Sequence, residues 1–556
     1  MLLQDKILIG KGENPVWLLP EMANRHGLIA GATGTGKTVT LKVLAEGFSE
    51  MGVPVFLADI KGDVSSLALA GVPGEKITQR LNACGIPEDQ FIFRSFPVRF
   101  WDVFGKGGIP VRATMTDVGP MLLSRLLGLS PAQEGVLNIV FRVADDNGWE
   151  LIDLKDLRSM LVWVADNRKE LTLQYGNVST QSVGAIQRAL LALESDGADQ
   201  FFGEPALDIG DWFSSGRDGR GTVNLLNCVE LAHKPLLYAT FLLWMLSELF
   251  ENLPEVGDQA KPKLVFFFDE AHMLFDGAPK ALLDKIVQVV KLVRSKGVGI
   301  YFISQSPSDI PNEVLAQLNN RIQHALRAYT PAEQKAVRVA AQSFRPNPAF
   351  RTEDAISNMG TGVALVSTLD ADGVPTPVEM ATICPPQSGF TPVEDTAVAM
   401  VVARDPLYAT YKEAEDNFSA YEALSDIAAQ QAQEAEQAAA AAEEARARAA
   451  QEKQAAREQA AAERQAAREQ AAAERQAARD EAAAHRAAEK AKAKPSAMEK
   501  SLKKAGKSAA RTVGRDIGRS VTRGVLGTSR TKSRAGKAAS SFTSSLFSDL
   551  FSGFIK

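Results

Sequence analysis

Three glycines, a lysine and three threonines fall within the run Gly31-Ala32-Thr33-Gly34-Thr35-Gly36-Lys37-Thr38. The spacing is G-x-x-x-x-G-K-[ST], a phosphate loop. Glycines there let backbone N–H groups turn inward around a phosphate chain, with the amino end of the next helix behind them. Leu28, Ile29 and Ala30 precede the run as a strand would, and Val39, Leu41, Val43 and Leu44 follow at helical spacing. On this reading Gly31, Ala32, Thr33, Gly34, Thr35, Gly36, Lys37, Thr38 and Val39 surround the phosphates of ATP. Lys37 reaches the β- and γ-phosphates and Thr38 holds Mg2+.

A second run supplies the acids. Leu264-Val-Phe-Phe-Phe-Asp269-Glu270 is a five-residue apolar stretch ending in two carboxylates. It reads as a buried parallel strand with its acids at the carboxyl edge, where open α/β sheets bind ligands. Asp269 then belongs to the Mg2+ shell, and Glu270 aligns and deprotonates the attacking water. Gln305 follows the next strand, Gly299-Ile-Tyr-Phe-Ile-Ser304. It either touches the γ-phosphate and water or caps the strand end. Asp59 ends another strand, Val53-Pro-Val-Phe-Leu-Ala58, and is a candidate to position water or metal. His272 has no second histidine at ligand spacing, so a coupling or structural role is expected rather than metal binding.

These residues need a sheet with helices on both faces. Alternating strand and helix patterns predict an α/β domain with a mostly parallel sheet. Residues 1–74 read as its first part and 216–395 as its second. Between them, 75–215 are mostly helical by period (Val118, Met121, Leu122, Leu126, Leu127, then Val136, Ile139, Val140, Val143) and read as a helical insertion. Later strands are expected at 221–227, 321–328 and 361–368, with helices at 235–250 and 279–295. Residues 396–427 read as a linker.

At 556 residues more than one region is expected. Cys84, Cys228 and Cys384 show no pairing pattern, which argues against a disulfide framework or zinc site. The start carries no secretory pattern and no uninterrupted apolar run is long enough to span a bilayer, so a cytoplasmic location is expected. The net charge of −5 conceals an asymmetry. Residues 495–540 hold twelve lysines and arginines against two acids, which leaves the first 494 residues at −15. A basic tail on an acidic body points to contact with anionic polymers or surfaces through the tail.

Residues 428–494 are nearly all Ala, Glu, Gln, Arg and Lys, strong helix formers. Glu452-Lys-Gln454, Glu463-Arg-Gln465 and Glu474-Arg-Gln476 recur every eleven residues. That period suits a straight helix or a right-handed coiled coil. Large apolar residues at coiled-coil seam positions are missing, so two readings stand: close packing of copies through alanine stripes, or a solvated spacer. In the tail 495–556, Val513, Ile517 and Val521 alternate with Arg511, Arg515, Arg519 and Arg523 at four-residue steps, and a phenylalanine-leucine stripe follows. Such a tail can meet DNA, a partner protein or a membrane surface.

Taken together, Arg25-His26, the phosphate loop, Asp59-Ile-Lys-Gly-Asp63, Phe266-Phe-Phe-Asp269-Glu270-Ala-His272 and Ile303-Ser-Gln305-Ser-Pro307 resemble the HerA/FtsK superfamily, in particular its bacterial HerA-like C-terminal domain (YjgR-like) branch. The resemblance covers about residues 5–395. It implies a RecA-like P-loop core assembled as a homo-hexameric ring that moves double-stranded DNA by ATP hydrolysis. It also implies that Lys37, Thr38, Asp269, Glu270 and Gln305 carry the nucleotide chemistry. Ring ATPases supply an arginine from the neighbouring subunit; Arg25, Arg294 and Arg321 are the candidates, and the resemblance favours Arg25 and Arg294. Archaeal HerA carries a β-barrel before the motor, whereas about two dozen residues precede the motor strand here, too few for one. The expected alternative to a DNA motor is a P-loop ATPase that remodels a non-DNA partner through its C-terminal helix and tail.

Overall fold

A computed structural model describes residues 1–257, 259–275 and 280–490. Among these, thirteen strands form one sheet. Its parallel part runs, side by side, Asn320–His324, Gly27–Ala30, Val298–Ser304, Leu264–Phe268, Val55–Asp59, Val223–Asn227, Val98–Asp102 and Ile109–Pro110. An antiparallel wing continues past Asn320–His324 through Val363–Ser367, Glu379–Ile383, Lys6–Lys11 and Leu2–Leu3, with Pro15–Leu18 paired to Lys6–Lys11. The strand that feeds the phosphate loop therefore lies inside the sheet, two places from the acidic strand.

Apolar runs decide which strands are central. All five residues of Leu264–Phe268 and all seven of Val298–Ser304 are buried, as expected of parallel strands covered on both faces. Phe266 and Phe268 stack along one face, and Phe268 stacks on Phe302 of the next strand. Burying each such ring stabilises the fold by about 1.5–3 kcal/mol. Helix Lys37–Glu50 packs below the sheet with eleven buried residues. Helix Pro235–Asn252 begins with Pro at its first turn and buries Leu237, Phe241 and Trp244. The fold class is thus α/β with a mostly parallel, RecA-like sheet.

Three sequence expectations change. First, the mostly helical segment 75–215 is not an insertion throughout: Val98–Asp102 and Ile109–Pro110 lie within it and extend the main sheet beside Val223–Asn227. Arg99 obscured that strand by breaking its apolar pattern. The helices of this region run from Glu75–Cys84 to Ala198–Phe201. Met121, expected inside, is 56% exposed, because Gly119 (φ 69°) and Pro120 interrupt the helix and reset its phase. Second, the amino-terminal strands Leu2–Leu3, Lys6–Lys11 and Pro15–Leu18 were not expected. Third, residues 396–427 are not a free linker. Helices Asp395–Arg404 and Pro406–Tyr411 dock on the body. Asp405 pairs with Arg99 at 2.8 Å, Arg112 donates to the Tyr411 carbonyl at 2.9 Å, and the Tyr411 hydroxyl donates to Asp211 at 2.7 Å.

The chain divides into two compact units, Met1–Ala439 and Ala440–Lys556. Helix Ala420–Lys490 has 71 residues, starting earlier than its alanine-rich composition implied. In the first unit its start is held to Asp156, which accepts from the Ser419 hydroxyl and the Tyr421 amide. In the second, Gln454–Glu458, Gln465–Glu469 and Gln476–Asp480 form i,i+4 hydrogen bonds at 3.1, 3.2 and 3.4 Å, repeating the eleven-residue period. Side chains 428–488 are exposed. The expected basic amphipathic tail, 495–556, lies outside the described residues.

Candidate active site

The phosphate loop is shaped by its neighbours. Gly31 N–H donates to the Ser304 carbonyl at 3.2 Å and Ala32 N–H to the Ala325 carbonyl at 2.9 Å, so both flanking strands hold the loop's base. Gly31, Gly34 and Gly36 have φ of 153°, 77° and 115°, values that favour glycine. A Cβ on Gly31 would lie 2.5 Å from the His324 Cβ. His324 is fully buried, and its Nε2 lies 2.8 Å from the Thr40 hydroxyl. Burial, then the Lys37 charge, push its pKa down to about 4, so the ring is neutral. Thr33 and Gly34 are exposed at the loop's tip, while Val39 is half-buried on the following helix.

Lys37 is 8% exposed, and its ammonium donates to the Gly31 and Ala32 carbonyls at 2.6 and 3.3 Å. Burial lowers its pKa; Glu270 and Asp269 oppose that shift. Those acids leave the sheet beside the loop because Phe268 pairs with Phe302, whose strand also pairs with Gly27–Ala30. Glu270 adopts a left-handed backbone (φ 46°), rare for a non-glycine residue and costing about 1–3 kcal/mol. Its carboxylate accepts from the Lys61 ammonium and, at 3.4 Å, from the Gln305 amide, with His272 Nδ1 at 3.3 Å. Burial raises the Glu270 pKa, but the Lys61 hydrogen bond and charge outweigh it and the net shift is downward. Asp269 goes the other way: burial pushes it up to about 6. The sheet thus brings Lys37, Asp269, Glu270 and Gln305 to one edge.

Asp59 is buried, accepts from the Gly62 and Val64 amides at 2.7 and 3.2 Å, and is pushed up to about 7 by burial and then by Asp63. Rather than the water- or metal-positioning role expected of it, these contacts favour shaping the turn 59–64. The Thr38 hydroxyl donates to Asp63 Oδ2 at 3.3 Å. Sequence reasoning quoted Lys61 and Asp63 within a motif yet gave neither a role; their place just after a strand end was the available signal. Nothing in the sequence marked Thr40 or His324.

The arginines stand elsewhere. Arg25 precedes strand Gly27–Ala30 and Arg294 precedes strand Val298–Ser304, so both lie at the amino edge, roughly 15 Å from the loop by strand rise. His26 clamps that edge: its Nε2–H donates to the Val290 carbonyl at 2.8 Å and its Nδ1 accepts the Ile300 amide at 3.0 Å. Arg321 spends three donors on the Leu318, Leu315 and Ser343 carbonyls at 2.9, 3.0 and 3.1 Å, which makes it a brace within its own subunit.

Among the described residues no group of three or more His, Cys, Asp or Glu could hold a metal alone. Mg2+ does not require one, since it keeps waters and shares substrate phosphates. The hard oxygens of Thr38, Asp269 and Asp63 fit that ion. Among the described residues no helix is long and apolar enough to cross a membrane.

Over residues 4–534 the sequence matches the family described as helicase HerA-like C-terminal. It is 21% identical over 354 residues to the DNA double-strand break repair helicase HerA of Sulfolobus acidocaldarius, an alignment covering 62% of each protein. The chain thus spans less than two thirds of that relative's length. Similar solved structures include the bacterial conjugative coupling protein TrwBΔN70 (15% identity, TM-score 0.46, 71% of this chain and 92% of that one). Another is VirB4 of Thermoanaerobacter pseudethanolicus (16% identity, TM-score 0.43, 68% and 95%). With a match across most of its length, the chain belongs to the helicase HerA-like C-terminal family.

Proposed function

We propose that this protein hydrolyses ATP as a homo-hexameric ring and uses the energy to move along double-stranded DNA. The observation that carries the reading is the meeting of Glu270, Gln305 and Lys37 at one sheet edge, with Asp269 beside them. Lys37 exchanges its loop carbonyls for phosphate oxygens. Mg2+, held by Thr38 and Asp269, would neutralise charge on the β- and γ-phosphates. Glu270 takes a proton from water, oriented with the help of the Gln305 amide. For Glu270 to act, Lys61 must release it. Arg25 and Arg294 lie too far from their own loop to serve it, so they are assigned to the site of a neighbouring subunit.

Duplex DNA supplies the test. ATP turnover is measured with and without it at low and moderate salt. Stimulation that fades as salt rises supports phosphate-backbone contacts. Turnover indifferent to DNA refutes the DNA motor and favours remodelling of a non-DNA partner, the reading that the −15 charge of residues 1–494 supports.

A further inference from the structure

We infer that Asp63 is a further residue of the magnesium site, beside Thr38; the inference rests on the ATP-binding reading above. Asp63 already touches the first-turn hydroxyl that would bind the metal, Thr38 Oγ1 to Oδ2 at 3.3 Å. Its other carboxylate oxygen, Oδ1, is buried and has no hydrogen-bond partner among the described residues. Leaving such an oxygen unsatisfied costs about 1–3 kcal/mol, and the turn does not need the side chain. The turn is held by Asp59, which binds the amides of Gly62 and Val64, and by the Ser65 and Ser66 hydroxyls on the carbonyls of Gly62 and Asp63. Asp63 precedes the short helix Val64–Ala68, yet its side chain makes no capping bond there.

The nearby cations are committed elsewhere. Lys37 binds its own loop, Lys61 binds Glu270, and Lys42 binds the Ser66 hydroxyl and the Gly389 carbonyl. Asp63 and Asp269 form no ion pair among the described residues; the Lys61 charge acts on both from a distance while its ammonium is bound to Glu270. Hard anionic oxygens together with a threonine hydroxyl suit a divalent ion that takes its remaining ligands from water and phosphate.

Mn2+ serves as the probe. Wild type, Asp63→Asn and Asp63→Ser are saturated with ADP and titrated with Mn2+, with bound ion read by electron paramagnetic resonance. ADP affinity is measured separately in EDTA with a fluorescent ADP. Supporting outcomes are Mn2+ affinity weakened about tenfold or more in both variants and ADP affinity in EDTA unchanged within about twofold. Mn2+ affinity within about twofold of wild type in either variant overturns the role. So does an equal loss of ADP affinity in EDTA, because the aspartate would then only shape the loop. If wild type itself binds no ADP, the nucleotide reading fails and Asp63 with it. If wild type binds ADP and Mn2+ and the variants match it, only the Asp63 assignment falls.

Discussion

Replacing Glu270 with glutamine removes one charge and almost no volume. The assignment of Glu270 as the base predicts a loss of about 10²–10⁴ in hydrolysis rate, equal to roughly 2.7–5.5 kcal/mol of barrier. Folding should hardly notice. The carboxylate's main partner, Lys61, is 45% exposed, so their pair contributes no more than about 1 kcal/mol. The left-handed backbone at Glu270 treats glutamate and glutamine alike. Nucleotide affinity should hold or tighten, because an anion near the polyphosphate is gone. Single-turnover hydrolysis, a fluorescent-nucleotide titration and a thermal melt separate these effects. Hydrolysis within about threefold of wild type would refute the base assignment; a large fall in melting temperature would show a structural role instead.

Other perturbations follow from the same geometry. Gly31→Ala drives a Cβ to 2.5 Å from the His324 Cβ at φ 153°; it should cost about 1–3 kcal/mol of stability and lower nucleotide affinity, checked by denaturant titration and nucleotide binding. Arg294→Ala and Lys37→Ala should each be inactive alone yet recover turnover when mixed, since a Lys37→Ala subunit can lend its arginines to a neighbour with an intact loop; mixtures that stay silent remove the trans role. His26 is pushed down to about 4 by burial, so it stays neutral in the fold while the unfolded chain takes up a proton below about 6.5. Wild type therefore loses this contribution as pH falls from about 6.5 towards 4. The stability deficit of His26→Gln should shrink by about 2 kcal/mol between pH 7.5 and pH 5, and a deficit independent of pH contradicts the neutral clamp. A chain ending at Ala439 should keep a folded body. One ending at Pro392 loses the Tyr411 carbonyl that buried Arg112 binds and should melt markedly lower by circular dichroism.

The phosphate loop and the acidic strand were legible because their chemistry is local. Eight consecutive residues set the cradle, and an apolar run ending in Asp269-Glu270 says both that a strand is buried and where it stops. Sheet order was not local. No residue of Gly27–Ala30 announces that its neighbours will be Val298–Ser304 and Asn320–His324, so His324 behind Gly31 could not be foreseen. The docked segment 396–427 was misread because its anchors, Arg99, Arg112 and Asp211, lie some 200 or more positions away. Lys61 and Asp63 were visible in a motif, but two charged residues after a strand look like any solvated turn until Thr38 and Glu270 arrive beside them.

The eleven-residue rhythm of the long helix makes its reach adjustable by whole modules. Three turns of an α-helix take just under eleven residues, so removing one module shortens the rod by about 16.5 Å and turns its far end by only about 20°. Removing seven instead would shorten it by about 10.5 Å and turn the end by a similar small angle the other way, while removing nine would turn it by about 180°. Length can therefore drift among relatives by gain or loss of units without changing which side each charge presents.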